Sequence, residues 1–288
     1  MIDYTQMLKI FLRGLLMGAS DIMPGISGGT IALITGIYDK LITSISNIKF
    51  YFIKPLLKAD IKSFKKQLLE EVDFEFFIPL GLGIAIAMLL MAGVINYLLN
   101  NYAGFTYSFF AGLIIASIVI LYKQLDAVNI KALITTIIFT ILGVIIASTA
   151  MQASHSLPIL FISGFFAICA MLLPGISGSS ILILLGQYDY MIGVLHKIAL
   201  VEIIVFVVGA FIGFMSMSRV IKYLLNHHKQ LTVAGLIGLM LGSMKIPLTS
   251  ITSLVSTNIM LLPVCIIIAL IGAGIVLTVD RKFNYELI

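Results

Sequence analysis

Charge is scarce in this sequence. Asp, Glu, Lys and Arg together make up 11% of its 288 residues, while 60% are hydrophobic and the mean hydropathy is +1.15. An ordinary soluble chain carries about 25% charged residues, so these values exclude one and make the bilayer the solvent. Cysteine is nearly absent: Cys169 and Cys265 stand far apart, each inside an apolar run. No CxxC or Cys/His ligand spacing occurs, which argues against a metal or redox centre and casts both cysteines as small buried hydrophobes. The sequence calls for no cofactor and no metal. The amino-terminal apolar stretch is interrupted by Arg13 and is not expected to be a cleaved signal peptide. A formal net charge of +5 does not point to nucleic acid, because the Lys and Arg residues lie in short segments between apolar runs, where membrane orientation accounts for them.

What is present is a repeat. At an offset of 150 residues, Met23 to Ile42 (MPGISGGTIALITGIYDKLI) aligns with Leu173 to Ile192 (LPGISGSSILILLGQYDYMI) with ten identities in twenty positions. Farther along the offset falls to 126, where Tyr97 to Asn100 aligns with Tyr223 to Asn226 and Gly112 to Ser117 with Gly238 to Ser243. The change of offset places an insertion in the first copy between Ile42 and about Phe76. The copies are residues 1–150 and 151–288, a pattern recurrent in transporters.

In each copy the repeated turn lies between two apolar stretches too short to span singly, which predicts a re-entrant helical hairpin, about 7–38 in the first copy and about 157–190 in the second. Three longer apolar segments follow each hairpin: near 76–99, 104–122 and 132–150, then near 200–218, 231–247 and 259–279. Three crossings is an odd number, so the fused duplicate enters upside down. The expected fold is all-α and integral to the membrane, an inverted-topology repeat with one hairpin and three transmembrane helices per copy. Positive charge agrees: of 18 Lys and Arg residues, all but Lys197 and Lys245 fall on the predicted cytoplasmic side, with both termini there. The connector 40–75 carries seven of them and reads as a basic interfacial segment broken at Pro55.

Non-helical backbone at membrane depth is tolerated only where protein buries it or it lines a polar cavity. Two such turns, entering from opposite faces, are expected to converge. Pro24 and Pro174 suit a helix start, Gly25, Gly28, Gly29, Gly175 and Gly178 allow close approach, and Ser27, Thr30, Ser177, Ser179 and Ser180 offer hydroxyls. A helix amino terminus adds unpaired N–H groups and partial positive charge, which favours a phosphate or carboxylate. Arg13 is assigned to the ligand's charge, and Asp21 to capping or proton coupling. Gly-x-Tyr-Asp recurs at Tyr38-Asp39 and Tyr188-Asp189, read as closing each ascending arm. With Glu202 and Arg219, at opposite ends of one predicted helix, these form a second tier assigned to gating or coupling. The competing reading of the glycines and serines is tight helix packing.

The string FLRGLLMGASDIMPGISGGTIALITGIYDKLI, with LLPGISGSSILILLGQYD in the second copy, resembles the bacterial polyprenyl-phosphate transporter family, formerly a domain of unknown function, over essentially the whole chain. The resemblance implies a non-enzymatic, multi-pass protein of the bacterial cytoplasmic membrane that flips undecaprenyl phosphate and so recycles the lipid carrier of cell-wall glycans. It also implies a polyprenyl-phosphate lipid as partner. Two alternatives stand beside it: a transporter of another small anion or one coupled to an ion, and an undecaprenyl-pyrophosphate phosphatase. The phosphatases carry Pro-Gly-x-Ser-Arg-Ser, whereas Gly28 or Gly178 stands at the Arg position here.

Overall fold

A computed structural model describes residues 4–22, 27–125, 129–151 and 153–284, with side chains to Arg281. Among the described residues every regular element is helical. The first copy opens with α1 (Tyr4–Asp21), the seven-residue α2 (Gly28–Ile34) and α3 (Tyr38–Ser46). Two short helices follow in the basic connector, α4 (Ile53–Leu57) and α5 (Ile61–Glu71). Neither buries a residue, as expected for a segment lying beside the bundle. Asp60 caps α5 by accepting from the Ser63 N–H, and hydrogen bonds from Ser63 hold its carboxyl below the usual range. The two carboxylate oxygens of Glu71 accept from the backbone N–H groups of Lys49 and Tyr51, which ties the connector back on itself.

Next come α6 (Phe74–Tyr122), capped by Asp73, and α7 (Ile130–Ser148), capped by Asn129. The second copy repeats the order with α8 (Leu157–Leu172), the seven-residue α9 (Gly178–Leu184), α10 (Tyr188–His196), α11 (Leu200–His227), α12 (Lys229–Ser243), α13 (Lys245–Thr257) and α14 (Leu262–Asn284). Five stretches, 74–122, 130–148, 200–227, 229–257 and 259–281, are long and apolar enough to cross a bilayer, which makes the chain a multi-pass membrane protein. The outward faces of α7 and α14 are apolar and exposed, Ile138 and Leu270 among them, as lipid-facing helices require.

Two expectations about the elements change. The first two spans of copy one are not separated by a loop at 100–102, because α6 runs on through Asn100 and Asn101 and breaks only at Tyr102 (φ −138°, ψ 37°). Met91 and Leu113 line one cavity, yet a straight helix would hold them about 33 Å apart at 1.5 Å per residue, so the two limbs fold toward each other about Tyr102. The break recurs 126 residues later, at His228 (φ −137°, ψ 41°), between α11 and α12. The second change is α13, a helix that fills most of the stretch between the expected segments 231–247 and 259–279.

Glycines set the closest helix contacts, and these too recur. A side chain at Gly14 would strike the Leu80 carbonyl and one at Gly83 the Phe11 carbonyl, where α1 crosses α6. At the repeat offsets Gly164 meets the Phe206 carbonyl and Gly209 the Phe161 carbonyl, where α8 crosses α11. The last helix of each copy packs on the other copy: Gly112 of α6 fits against Ala269 of α14, and Gly238 of α12 against Thr136 of α7. Such backbone-close crossings are how membrane helices gain packing energy without a hydrophobic drive.

Candidate functional site

In the second copy the repeated turn meets the start of α2 inside the bundle. Leu173 to Ile176 form a β-turn closed by the Ile176 N–H to the Leu173 carbonyl at 3.4 Å. Pro174 takes its second position and Gly175 its third, with φ +93°, the arrangement of a type II turn. The expectation that Pro174 opens the helix is therefore corrected: it lies within the turn, and Ser177 is the N-cap of α9, its hydroxyl accepting from the Ser180 N–H at 3.2 Å. Ser27 caps α2 in the same way, accepting from the Gly29 N–H at 3.0 Å. Pro24 and Gly25, assigned to the site from sequence, lie outside the described residues.

The contacts that this turn and the end of α8 make with the first copy are specific. The Gly175 N–H donates to the Thr30 hydroxyl at 3.0 Å, and the Ser27 hydroxyl donates to the Met171 carbonyl at 2.9 Å. Tyr38 adds a third tie, its hydroxyl donating to the Leu172 carbonyl at 3.0 Å. The first copy's hydroxyls thus satisfy carbonyls freed at the end of α8, groups that would cost several kcal/mol each if left unpaired in a bilayer. Ser27, Thr30, Ser177 and Ser180 are all buried, as are Gly28, Gly29, Pro174 and Gly175.

The two helix tips are not equivalent. At α2 the Asp21 carboxylate reaches across and accepts from the Gly28 N–H at 2.5 Å. Gly28 is needed for that approach, since a Cβ there would overlap the carboxylate. The remaining first-turn amides of α2 are taken by Ser27: Gly29 by its hydroxyl and Thr30 by its carbonyl at 2.9 Å. The α2 tip therefore already holds an anion, the chain's own. At α9 the position corresponding to Asp21 is Met171, which brings no charge. The Ser177 hydroxyl instead lies 2.9 Å from that of Ser179 and 2.8 Å from that of Ser180, a cluster of rotatable hydroxyls at the start of the helix.

Arg13, assigned to the ligand, and the second-tier residues are placed as follows. Arg13 is buried on the face of α1 that also carries Ile10, Met17 and Ser20, eight residues before Asp21. Asp39 and Asp189 are not at the ends of ascending arms: positive φ at Gly36 and Gly186 turns the chain, and both carboxylates lie exposed in the first turns of α3 and α10. There, at helix starts, the helix dipole favours both carboxylates. Tyr188 is exposed. Glu202 stands in the first turn of α11, and exposed Arg219 donates to the Ile48 carbonyl at 3.1 Å, holding α11 to the end of α3. Of the second tier only Tyr38 reaches the turns.

Sequence reasoning missed Gln187. It is fully buried, its amide donates to the Ala153 and Ser154 carbonyls, and its oxygen lies 2.9 Å from His155 Nδ1. His155 in turn stacks on Tyr190, with ring centroids 4.0 Å apart. The only signal for Gln187 was a polar residue in an apolar repeat where the first copy has Ile37.

A family model described as undecaprenyl phosphate translocase-like matches residues 17–260. The chain belongs to that family. Two translocase-like relatives bear the name polyprenyl-phosphate transporter. One, from Vibrio cholerae serotype O1, is 38% identical over 242 residues, covering 82% of this chain and 76% of its own length. The other, from Staphylococcus aureus, is 34% identical over 292 aligned positions, covering 94% and 95%. No solved structure matches the chain.

Proposed function

We propose that this chain transports undecaprenyl phosphate across the bacterial cytoplasmic membrane, returning the lipid carrier of cell-wall glycans from the outer to the inner leaflet, and that it does so without hydrolysing it. The observation that carries this reading is the hydrogen bond from Gly175 to Thr30, which joins the second copy's repeated turn to the start of α2. A pair of polar turns inside an apolar bundle suits a phosphate that must leave water while its hydrocarbon stays in lipid. The printed names of the two relatives support the substrate class.

The copies act as an inverted pair, 1–150 and 151–288, each with a re-entrant hairpin, and the termini are cytoplasmic. Support comes from the recurrence of the caps, the positive-φ glycines, the single-residue breaks and the glycine crossings at the two sequence offsets. The phosphate binds at the tip of α9, where Ser177, Ser179 and Ser180 direct their hydroxyl protons to its oxygens. Arg13 supplies positive charge on the α1 side. Asp21 holds the α2 tip until the phosphate displaces it, a step at which a proton can be taken up.

Reconstituted proteoliposomes loaded with labelled undecaprenyl phosphate test the proposal. Labelled monophosphate should move between leaflets without release of inorganic phosphate, and Arg13→Ala should slow it while leaving insertion intact. Phosphate released from the pyrophosphate lipid, or unchanged movement in well-folded Arg13→Ala, would count against the assignment.

A further inference from the structure

An apolar cavity of about 740 Å³ opens beside the first turn, walled by α1, α2, both limbs of α6 and α14. Apart from Tyr102 at the break in α6, its polar side chains are three hydroxyls whose protons are spent on backbone carbonyls. The Ser20 hydroxyl donates to the Leu16 and Met17 carbonyls, Thr35 to Ile31, and Thr106 to Tyr102. From Val264 to Val279 the wall follows α14 for about 22 Å at 1.5 Å per residue. A void of this size and length is foreign to a close-packed interior, and its chemistry selects hydrocarbon.

A second apolar cavity, about 340 Å³, lies beside the second turn. About half of its wall is that of the first, moved by the repeat. At the offset of 150, Leu16, Ala19 and Ile31 of the larger become Phe166, Cys169 and Ile181 of the smaller. At the offset of 126, Met91 and Leu113 become Met217 and Leu239. The bulk of Phe166 in place of Leu16 accounts for part of the difference in volume. Unrelated packing defects have no reason to fall on corresponding residues of two copies.

We infer that the two cavities are paired binding grooves for the isoprenoid tail of the transported lipid, one serving each leaflet. The inference rests on the function proposed above and adds to it a site for the part of the substrate that the turns do not touch. Continuity argues for this occupant. Ile31 and Ile34 on the wall of the larger groove belong to α2, the helix that carries Thr30, and Leu16 and Ala19 to α1, which ends at Asp21. An amphiphile with its phosphate between the turns has its first isoprene units at the mouth of the groove. The aromatic rings of Phe105, Phe109 and Phe110 present π-faces to the double bonds of such a chain. As the head passes from one copy's side to the other, the tail exchanges one groove for its counterpart, so specificity is read in both leaflets.

A polyprenyl phosphate with a photoactivatable diazirine in an isoprene unit near the head tests this in proteoliposomes containing the intact protein. Adducts are expected at Leu98, Phe109 or Val264 in the larger groove and at Phe139 or Met217 in the smaller. Ala19→Leu and Cys169→Leu, which fill one groove each, should reduce movement of undecaprenyl phosphate about tenfold, a change of about 1.4 kcal/mol, while binding of geranyl phosphate falls less than about twofold. Retained geranyl phosphate binding shows that the variants are folded. Adducts confined to the outer faces of α7 and α14, or equal labelling by a diazirine-bearing bilayer phospholipid, overturn the grooves and leave the phosphate site standing. Failure of the wild-type protein to bind either phosphate overturns the function and the grooves together.

Discussion

Asp21 places a carboxylate at the point where a helix tip would otherwise receive a phosphate. Its aspartate at the end of α1 and the glycine at the start of α2 are seven residues apart in sequence and 2.5 Å apart in space. On the proposed mechanism the two anions compete, and removing one favours the other. Asp21→Asn should therefore tighten phosphate binding by roughly threefold or more, in line with the strength of charge effects at helix ends, and slow release. Displacement of a fluorescent phosphate lipid in detergent measures it, and weaker binding by a folded variant would oppose the competition. Gly175 makes the other prediction at this scale. With φ +93° and a Cβ that would lie 2.8 Å from the Met240 Cα, Gly175→Ala should cost more than about 1 kcal/mol, read as a fall in the thermal unfolding midpoint. Residue types at the turns were legible in the sequence because polar atoms and glycines are rare in an apolar chain and so conspicuous when repeated. Roles were less legible. Asp39 and Asp189 follow turns at Gly36 and Gly186 that the sequence pattern does not distinguish from the end of a hairpin arm, although another helix begins at once.

Among the elements, the seven-residue helices α2 and α9 are the parts that only tertiary contacts hold in place, since isolated helices of that length are unstable. Their ends are fixed by Ser27 and Ser177, by the bonds to Met171 and Thr30, and by the bend of 107° between α9 and α10. Apolar periodicity located the long helices and placed boundaries near the breaks at Tyr102 and His228, although it ended α11 at 218 and not at His227. It assigned no helix between 247 and 259, where most of α13 lies, because Lys245, Pro247 and a run of Ser and Thr interrupt the apolar pattern. The glycine crossings provide a matched test. Gly14→Val should destabilise by about 1–3 kcal/mol through overpacking against Leu80, whereas Gly81→Val, whose added Cβ would meet nothing within 4 Å, should stay within about 0.5 kcal/mol. Thermal unfolding in detergent compares the pair, and equal effects would mean that helix propensity, not close approach, governs these positions.

For the whole molecule, the inverted arrangement makes a prediction about sidedness. Single cysteines at Lys58 and Lys131 should react with an impermeant maleimide only from the cytoplasmic side, and one at Ser256 only from outside. Cys169 and Cys265 are buried and stay silent. Labelling of all three from one side would refute the inversion. The proposed topology rests on the distribution of lysines and arginines and on the odd number of apolar segments per copy, quantities that survive any error in helix boundaries. The paired cavities were not readable, because an apolar wall and an apolar core have the same composition, and only coordinates reveal where atoms are missing.

Tyr38 and its counterpart Tyr188 differ: the first is 3% exposed and bonded to the Leu172 carbonyl, the second 38% exposed. The acceptor equivalent to Leu172 in the first copy is the carbonyl of Ile22. A rearrangement that unlatched Tyr38 and latched Tyr188 would trade one hydrogen bond of about 1 kcal/mol for its twin and leave this part of the energy level. On the proposed transport cycle, duplication would thus supply two alternative clasps of similar strength, so that neither pose becomes a trap.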